Sequence, residues 1–219
     1  MKKSKIIILI IVLLLIFISI FTVIKINQYN TLINIANANI NKINSKNYFY
    51  EVNNVTENSI FKIWVKDSKI KYQVFTNNNL TQTQYVDLTN NSTYIVNEED
   101  KAYSIHENDA LIQPVYINSP DILSLAMGMS IDSSISFLDK IPFVYSIKSI
   151  TSETLDNKNT IKVIYKLDDV IETTWFDSTT LHPIKSESTL NTNSTYKVTD
   201  CDLSDEEIIF NDIDNYNKV

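Results

Sequence analysis

Glycine scarcity limits this chain more than any other feature, because Gly128 is the single glycine among 219 residues. Phosphate-binding loops need two glycines, dinucleotide-binding turns need three, and the nucleophile turn of hydrolases needs a pair around its serine. One cysteine excludes a Cys-x-x-Cys pair, and His106 and His182 are too far apart for a helical zinc-protease motif. We therefore expect no catalytic residues, no metal and no cofactor, and we predict that the protein is not an enzyme.

The charge pattern narrows the range of partners. The chain has a formal net charge of -7 and a pI near 4.8, and each of its basic residues is a lysine. Arginine forks that read bases are thus absent, and an acidic chain is repelled by a phosphate backbone. The sequence predicts no nucleic-acid partner. Its bias towards Ile, Asn, Lys and Tyr indicates AT-rich coding DNA, as in a low-GC bacterium.

The N-terminal segment predicts a membrane anchor. A basic flank, residues 1–5, precedes the apolar run 6–24, which only Ser19 and Thr22 interrupt. About 20 apolar residues in a helix cross the hydrocarbon core, whereas the apolar region of a cleaved signal is usually about 7–15 residues long. The cleaved signal is the alternative. The basic flank predicts a cytoplasmic N-terminus and one span of the cell membrane, with all later residues extracytoplasmic.

The remainder divides into three predicted parts. Residues 25–46 form a linker and an amphipathic helix, because Tyr29, Ile33, Ala36, Ile40 and Ile43 recur at spacings of four and three. Residues 47–201 form one antiparallel domain. Residues 202–219 form an acidic tail, in which Ile208–Phe210 is a docking point.

Alternation with period two predicts the strands. From position 47 onwards, apolar and polar residues alternate in short runs, which is typical of antiparallel strands with one packed face. With almost no glycine available, Asn and Asp must supply the positive φ of the turns. The predicted turns of this kind are at Asp67-Ser68, Asn77–Asn79, Asn90-Asn91 and Asp156-Asn157.

The middle of the chain changes period and predicts helices. Ser119 is the expected N-cap of a helix that continues through Ile122–Met129, and Gly128 inside it predicts a close approach or a kink. A helical turn over 135–140 should end before Pro142, and a strand should follow over 143–150. The expected fold class is α+β, mainly β: a transmembrane helix, then a strongly curved antiparallel half-barrel of about ten strands covered by helices.

One hairpin resembles a known family. Trp175 and Asp177 end one predicted strand, and Pro183 and Lys185 begin the next. This pattern is similar to the hairpin of the lipoprotein-carrier (LolA/LolB-like) superfamily, and this chain resembles a membrane-anchored variant. Two departures are that Leu181-His182 stands where the family often has glycine, and that no arginine is available for the family's cavity.

The resemblance implies a concave sheet that holds a lipid or a lipoprotein acyl chain beneath a helical lid. An ordinary filled core is the alternative for every residue involved. The candidate lining residues are Tyr48, Tyr50, Phe61, Ile63, Tyr72 and Val163 from the sheet, with Leu125 and Met129 from the lid.

The expected function is that of a membrane-anchored extracytoplasmic binding protein for a lipid or another hydrophobic ligand. The alternative is a non-catalytic envelope sensor or interaction domain of the same fold, with an envelope protein as its partner. His106 and His182 are expected to be exposed loop residues. Cys201 is expected to be a half-buried strand residue, with an intermolecular disulfide as the alternative.

Overall fold

A computed structural model describes residues 2–107, 119–132, 134–211 and 213–219. Within these residues the fold is α+β and mainly β: one long apolar helix at the N-terminus, two shorter α-helices and a large open sheet. The sheet has twelve strands, where the sequence predicts about ten. One strand that the sequence does not predict, Asn217–Lys218, is only two residues long and lies in the predicted tail.

The first helix, α1 (Lys2–Asn44), runs without a break through the predicted anchor and the predicted linker. Its first half is long and apolar enough to cross a membrane, a criterion that a signal sequence also meets. Its second half is part of the core, since Leu32, Ile35 and Ala36 are fully buried. The predicted stripe is therefore present but turned, because Ile33 and Ile40 are only half-buried.

The strands follow the predicted alternation closely. They are β1 (Asn47–Asn54), β2 (Ser59–Lys66), β3 (Lys69–Thr76), β4 (Asn79–Asp87), β5 (Ser92–Asn97), β6 (Ala102–Glu107), β7 (Ile147–Leu155), β8 (Lys158–Leu167), β9 (Val170–Asp177), β10 (Pro183–Ser188), β11 (Asn193–Thr199) and β12 (Asn217–Lys218).

The two meanders join through the first and the eleventh strands. The order across the sheet is β12-β6-β5-β4-β3-β2-β1-β11-β10-β9-β8-β7. Each neighbouring pair is antiparallel except β12 with β6, which is parallel. Tyr50 pairs with both Ile63 and Val198, which places all three side chains on the face that the helices cover.

Asparagine and aspartate make most of the turns, as predicted. Among the residues that the structure describes, twelve non-glycine residues have positive φ, and nine of them are Asn or Asp. Asp67, Asn77, Asn91 and Asp156 are among these nine. Leu181 is a bulkier exception, with φ of 61° in the β9–β10 turn. These side chains tolerate the left-handed region best after glycine, so the chain folds with almost no glycine.

The helix α2 (Asp121–Ile131) starts where predicted but is capped differently. Ser119 makes no cap; its hydroxyl lies 3.3 Å from the Tyr50 hydroxyl instead. The carboxylate of Glu172 accepts hydrogen bonds from the Asp121 and Ile122 backbone amides, at 3.3 and 3.5 Å. A distant strand residue therefore satisfies amides that local sequence was expected to satisfy.

The helix α3 (Phe137–Ser146) is longer than predicted, and β7 begins only at Ile147. The prediction that helix ends before Pro142 is wrong. A capping box between Ser136 and Asp139 fixes the first turn. Burial of Phe143 against the core supports the second half, despite the backbone hydrogen bond that proline removes.

The C-terminal segment is packed on the opposite face of the sheet. Ile208 is 1% exposed, and the Phe210 ring lies 5.4–5.6 Å from the rings of Tyr85, Tyr94 and Tyr103. The Trp64 indole donates to Asp202 at 3.1 Å. The docking point that the sequence predicts at Ile208–Phe210 is confirmed, and these contacts hold the segment across strands of the first meander.

The expectation of a close approach at Gly128 is wrong. A Cβ built on this residue meets nothing within 4 Å, and α2 passes through it as one helix. The glycine therefore has no packing role among the residues that the structure describes. It lowers helix stability without compensation, since glycine is less favourable than alanine inside a helix by about 1 kcal/mol.

Gly128→Ala should raise the free energy of unfolding by about 1 kcal/mol, because it restores helix propensity without a clash. Urea unfolding of the full chain in detergent micelles measures this change. The matched control is Ala126→Gly in the same helix, which should destabilise, because the methyl group of Ala126 is fully buried. A destabilised Gly128→Ala variant would show that the glycine meets a structural need.

Candidate functional site

The predicted lining residues of the sheet lie in the core beneath the helices. Tyr48, Tyr50, Ile63 and Val163 are buried, with exposed fractions of 0–4%. Phe61 and Tyr72 are half-buried and pack against that core, with their rings nearly parallel and 6.2 Å apart. The structure thus brings all six together on the helix-covered face.

The second half of α1 occupies the space that the resemblance assigns to a ligand. Leu32, Ile35 and Ala36 form one core cluster with Ile122, Leu123 and Met127 of α2 and with the sheet residues. Among the described residues, the void between α1, α2 and the first strand measures about 10 Å³. A void of that size holds at most one water molecule.

The two predicted lid residues lie on the outer side of α2. Leu125 is 40% exposed, and Met129 is partly buried. Together with Tyr165 and Leu167 of β8 they line an open surface groove of about 570 Å³, which we call the outer groove. The face of α2 that is turned to the sheet carries Ile122, Leu123, Ala126 and Met127 instead.

A buried carboxylate lies at the N-terminus of α2. Glu172 is 7% exposed and accepts a hydrogen bond from the Thr174 hydroxyl at 2.8 Å, besides the two amides of α2. Desolvation raises the pKa of this carboxyl, and the charge of Asp121 acts in the same direction. Burial also raises the pKa of neighbouring Tyr196 to about 12, so its phenol stays protonated. This cluster fixes the helix to the sheet.

The hairpin that carries the family resemblance lies mainly on the other face of the sheet. Trp175 is 7% exposed, and the Lys162 and Lys185 ammonium groups lie 5.2 and 5.5 Å from its ring centroid. Asp177 accepts hydrogen bonds from two backbone amides of the turn at 2.8 and 2.9 Å. Pro183 is buried opposite Phe176 at the start of β10.

His182 is half-buried rather than exposed. Its Nδ1 lies 3.0 Å from Oδ1 of Asn39, and the Asn39 amide donates to the Leu181 carbonyl at 2.9 Å. Burial lowers the pKa of His182. This buried asparagine on α1 therefore ties the helix to the one turn in which leucine adopts positive φ. The other histidine, His106, is exposed as predicted.

An apolar groove lies where α1 leaves its exposed apolar run, and we call it the foot groove. It has a volume of about 290 Å³ and lies between α1 and α3. Phe21 and Tyr145 close one end with ring centroids 6.2 Å apart. The lining residues are Phe21, Thr22, Lys25, Ile26, Tyr29, Lys140, Ile141, Val144 and Tyr145.

Lysines supply the charge of the foot groove. Lys25 donates a hydrogen bond to the Ile147 carbonyl at the start of β7, and its ammonium lies 5.7 Å from the Phe21 ring centroid. Lys140 lines the opposite wall. Lys148 lies near enough for its charge to act on Lys25. No described acidic residue lines this groove, so it joins apolar walls to a positive rim.

Other chemistry has little support in the described part of the chain. No three His, Cys, Asp or Glu side chains there come together in a group that could hold a metal ion. Cys201 is a free, half-buried thiol, and it follows β11 rather than lying within a strand. No sequence motif predicts the foot groove. The features that could have indicated it are Lys25 at the end of the apolar run and the capping box at the start of α3.

Comparisons with known proteins give no family. No family model and no curated protein matches the chain. A solved structure of PNGF-II in a C2 crystal form matches with a TM-score of 0.33 and 9% identity over 78% of this chain. The match spans 30% of the PNGF-II chain. At that TM-score the likeness supports no conclusion about fold or function.

The buried Glu172 predicts a pH dependence of stability. Its folded-state pKa lies above the unfolded value, so its contribution is most favourable at low pH and is lost as pH rises through the folded pKa. Glu172→Gln keeps an acceptor and removes the charge. We expect the difference in the free energy of unfolding, variant minus wild type, to increase as the pH rises from 4 to 7.5. Urea unfolding in micelles measures this difference.

The control for this prediction is Glu57→Gln, because Glu57 is exposed in the β1–β2 turn. Its difference from wild type should stay small across the same pH range. Parallel pH profiles for wild type and Glu172→Gln would show that the buried carboxyl does not titrate differently in the folded state.

Proposed function

We propose that this protein is a membrane-anchored, extracytoplasmic binding protein for a lipid or another hydrophobic ligand, and that the foot groove is its binding site. The observation that carries the proposal is the apolar groove of about 290 Å³ between α1 and α3. Apolar, concave sites with a few polar groups are typical of small-ligand binding. The proposal includes a cytoplasmic N-terminus, as the basic flank predicts.

The position of the groove along α1 supports a lipid as its occupant. Ile6–Ile24 spans about 28 Å at the helical rise, close to the thickness of the hydrocarbon core. Phe21 and Thr22 belong to that run, whereas Lys25 lies just beyond it. In a bilayer the groove would therefore open at the boundary between acyl chains and headgroups, where a lipid reaches it without leaving the membrane.

The exposed face of α3 supports the same position. Leu138 is 72% exposed and Tyr145 is 55% exposed, and with Ile141 they follow the i, i+3, i+7 spacing of one helical face. A short helix with such a face fits the membrane interface, where tyrosine is enriched. This face lies beside the foot groove, since Ile141 and Tyr145 belong to both.

The core arrangement favours this site over one between α2 and the sheet. A ligand in the interior would have to displace the packed side chains of Leu32, Ile35 and Met127. Dense cores resist such insertion, and overpacking costs about 1–3 kcal/mol even for small changes. The foot groove needs no such displacement. We therefore assign the predicted lining residues of the sheet to packing and the ligand to the foot groove.

We further propose that the open sheet is curved into the half-barrel of the lipoprotein-carrier superfamily. The hairpin from Trp175 to Lys185 and the helix that precedes the first meander support this assignment. A tethered chain without arginine departs from the soluble carriers, so cargo transfer across an envelope is not proposed. What the assignment supports is binding at the membrane surface.

The alternative function is a non-catalytic sensor or interaction domain for an envelope protein. The packed interior and the outer groove of about 570 Å³, with Leu125 exposed on it, favour this alternative. The two functions use different surfaces, since the foot groove and the outer groove share no lining residue. An experiment that locates the bound partner therefore separates them.

Photo-crosslinking should place a lipid in the foot groove. The full chain in bilayer nanodiscs containing a phospholipid with a photoactivatable acyl chain should give crosslinks within residues 140–145 and 21–29. Val144→Trp fills the groove and should reduce these crosslinks at least about fivefold. Peptide mass spectrometry gives both the position and the yield.

Leu125→Trp is the matched control, since it adds the same ring to the outer groove and should leave the yield unchanged. If Val144→Trp lowers the melting temperature, Thr22→Trp tests the groove from the wall on α1. Crosslinks that map to the outer groove, or a Val144→Trp yield equal to wild type, would contradict the proposed site.

Labelling of the single cysteine tests the proposed orientation of the chain in the membrane. Because Cys201 is half-buried and lies in the proposed extracytoplasmic domain, a membrane-impermeant maleimide should label it in intact protoplasts. Lys3→Cys in a Cys201→Ser background is the control and should be labelled only after permeabilisation. The reverse pattern would show the opposite topology. An immunoblot mass shorter by the first 30–40 residues would show a cleaved signal.

A further inference from the structure

We propose that the foot groove selects an anionic phospholipid, whose phosphate is held by Lys25, Lys140 and Lys148. This inference rests on the proposed function and adds the chemical class of the headgroup. Its basis is the juxtaposition of three lysines around an apolar groove that begins within a membrane-spanning stretch.

Lys25 fixes the position of the headgroup. It stands one turn after Phe21 on α1, and its ammonium reaches back to the Ile147 carbonyl rather than out to solvent. A lysine at the end of an apolar run places its charge at the level of the lipid phosphates. The ammonium retains two further donors, since it makes one hydrogen bond among the described residues.

Lys140 and Lys148 complete a positive rim that the chain does not neutralise. Lys140 is half-buried in the wall of the groove, and Lys148 is exposed at the start of β7, where it donates to the Tyr145 carbonyl at 3.3 Å. None of the three lysines forms an ion pair with an acid in the part of the chain that the structure describes.

Asp139, which precedes Lys140 in the sequence, is hydrogen-bonded elsewhere. Asp139 accepts hydrogen bonds from the Ser136 backbone and hydroxyl, which hold its carboxylate at the N-terminus of α3. The charges of Lys25 and Lys148 act on each other. Three like charges that remain together without a counter-ion create a positive potential that attracts an anion. Because the whole chain has a net charge of -7, this cluster of three lysines differs in sign from the rest of the protein.

Apolar walls identify the anion as part of a lipid. A free phosphate would be bound by polar donors alone, whereas Phe21, Ile26, Ile141 and Val144 add a surface for acyl chains in the same groove as Lys25 and Lys140. A phospholipid with net negative charge, such as phosphatidylglycerol, meets both requirements. Each lysine near a membrane surface strengthens binding of anionic lipid by roughly fivefold.

Competition in nanodiscs tests the headgroup class. The full chain is crosslinked to a photoactivatable phosphatidylglycerol or phosphatidylcholine of the same acyl chain, at equal mole fraction. Wild type should favour phosphatidylglycerol by roughly tenfold or more. Lys140→Gln with Lys148→Gln should remove most of that preference, measured as the ratio of the phosphatidylglycerol yield to the phosphatidylcholine yield. High salt should weaken the preference as well.

Lys158→Gln is the control for charge. Lys158 is exposed at the start of β8, roughly 25 Å along β7 from Ile147, and its loss should leave the preference intact. Inorganic phosphate at millimolar concentration should not compete, since it lacks the acyl chains. If phosphate does compete, the site binds a free anion and the lipid assignment is wrong.

Each remaining outcome decides between the two proposals. Equal crosslinking of both lipids within the groove would overturn the headgroup assignment and leave the proposed function intact. No lipid crosslink in the groove would overturn both. If a Lys25→Gln variant fails to fold, the pair Lys140 and Lys148 decides alone, because neither side chain is part of the core.

Discussion

The fold depends on α1, a helix whose first half is exposed and apolar and whose second half packs against the sheet. In α1, the residues from Ile6 to Ile24 are exposed and, apart from Ser19 and Thr22, apolar, whereas Leu32, Ile35 and Ala36 are fully buried against the sheet. Removal of apolar surface from water stabilises the second half, and the first half is long and apolar enough to cross a membrane. Because the helix has no break, both halves share one axis. The anchor and the core are therefore parts of the same element.

Periodicity in the sequence predicts most of the architecture. Strand positions follow from alternation, because a strand with one buried face must place apolar residues at every second position. The turns follow from Asn and Asp, whose short side chains tolerate positive φ. Alternation does not predict which residues distant in sequence form hydrogen bonds with each other. Glu172 caps α2 from 50 residues away, and Asn39 on α1 bonds the turn at Leu181.

The candidate site was less predictable than the fold for a related reason. Apolar residues on the inner face of a sheet look the same in sequence whether they face a ligand or a helix. The stripe on α1 indicates that this helix packs against another element, but its pattern does not say that this element is the sheet. The foot groove needs α1 and α3 side by side, and their residues are more than 100 positions apart.

The unbroken α1 has a mechanical consequence. A transmembrane helix tilts to match the thickness of its bilayer, by an angle that packing and interfacial anchors set. Without a hinge between Ile24 and Asn44, a change in tilt turns the sheet through the same angle. In the proposed membrane-anchored form, the domain would then turn as one body with the helix. Local bilayer thickness would thus determine which residues of the sheet edge approach the lipid and which turn away.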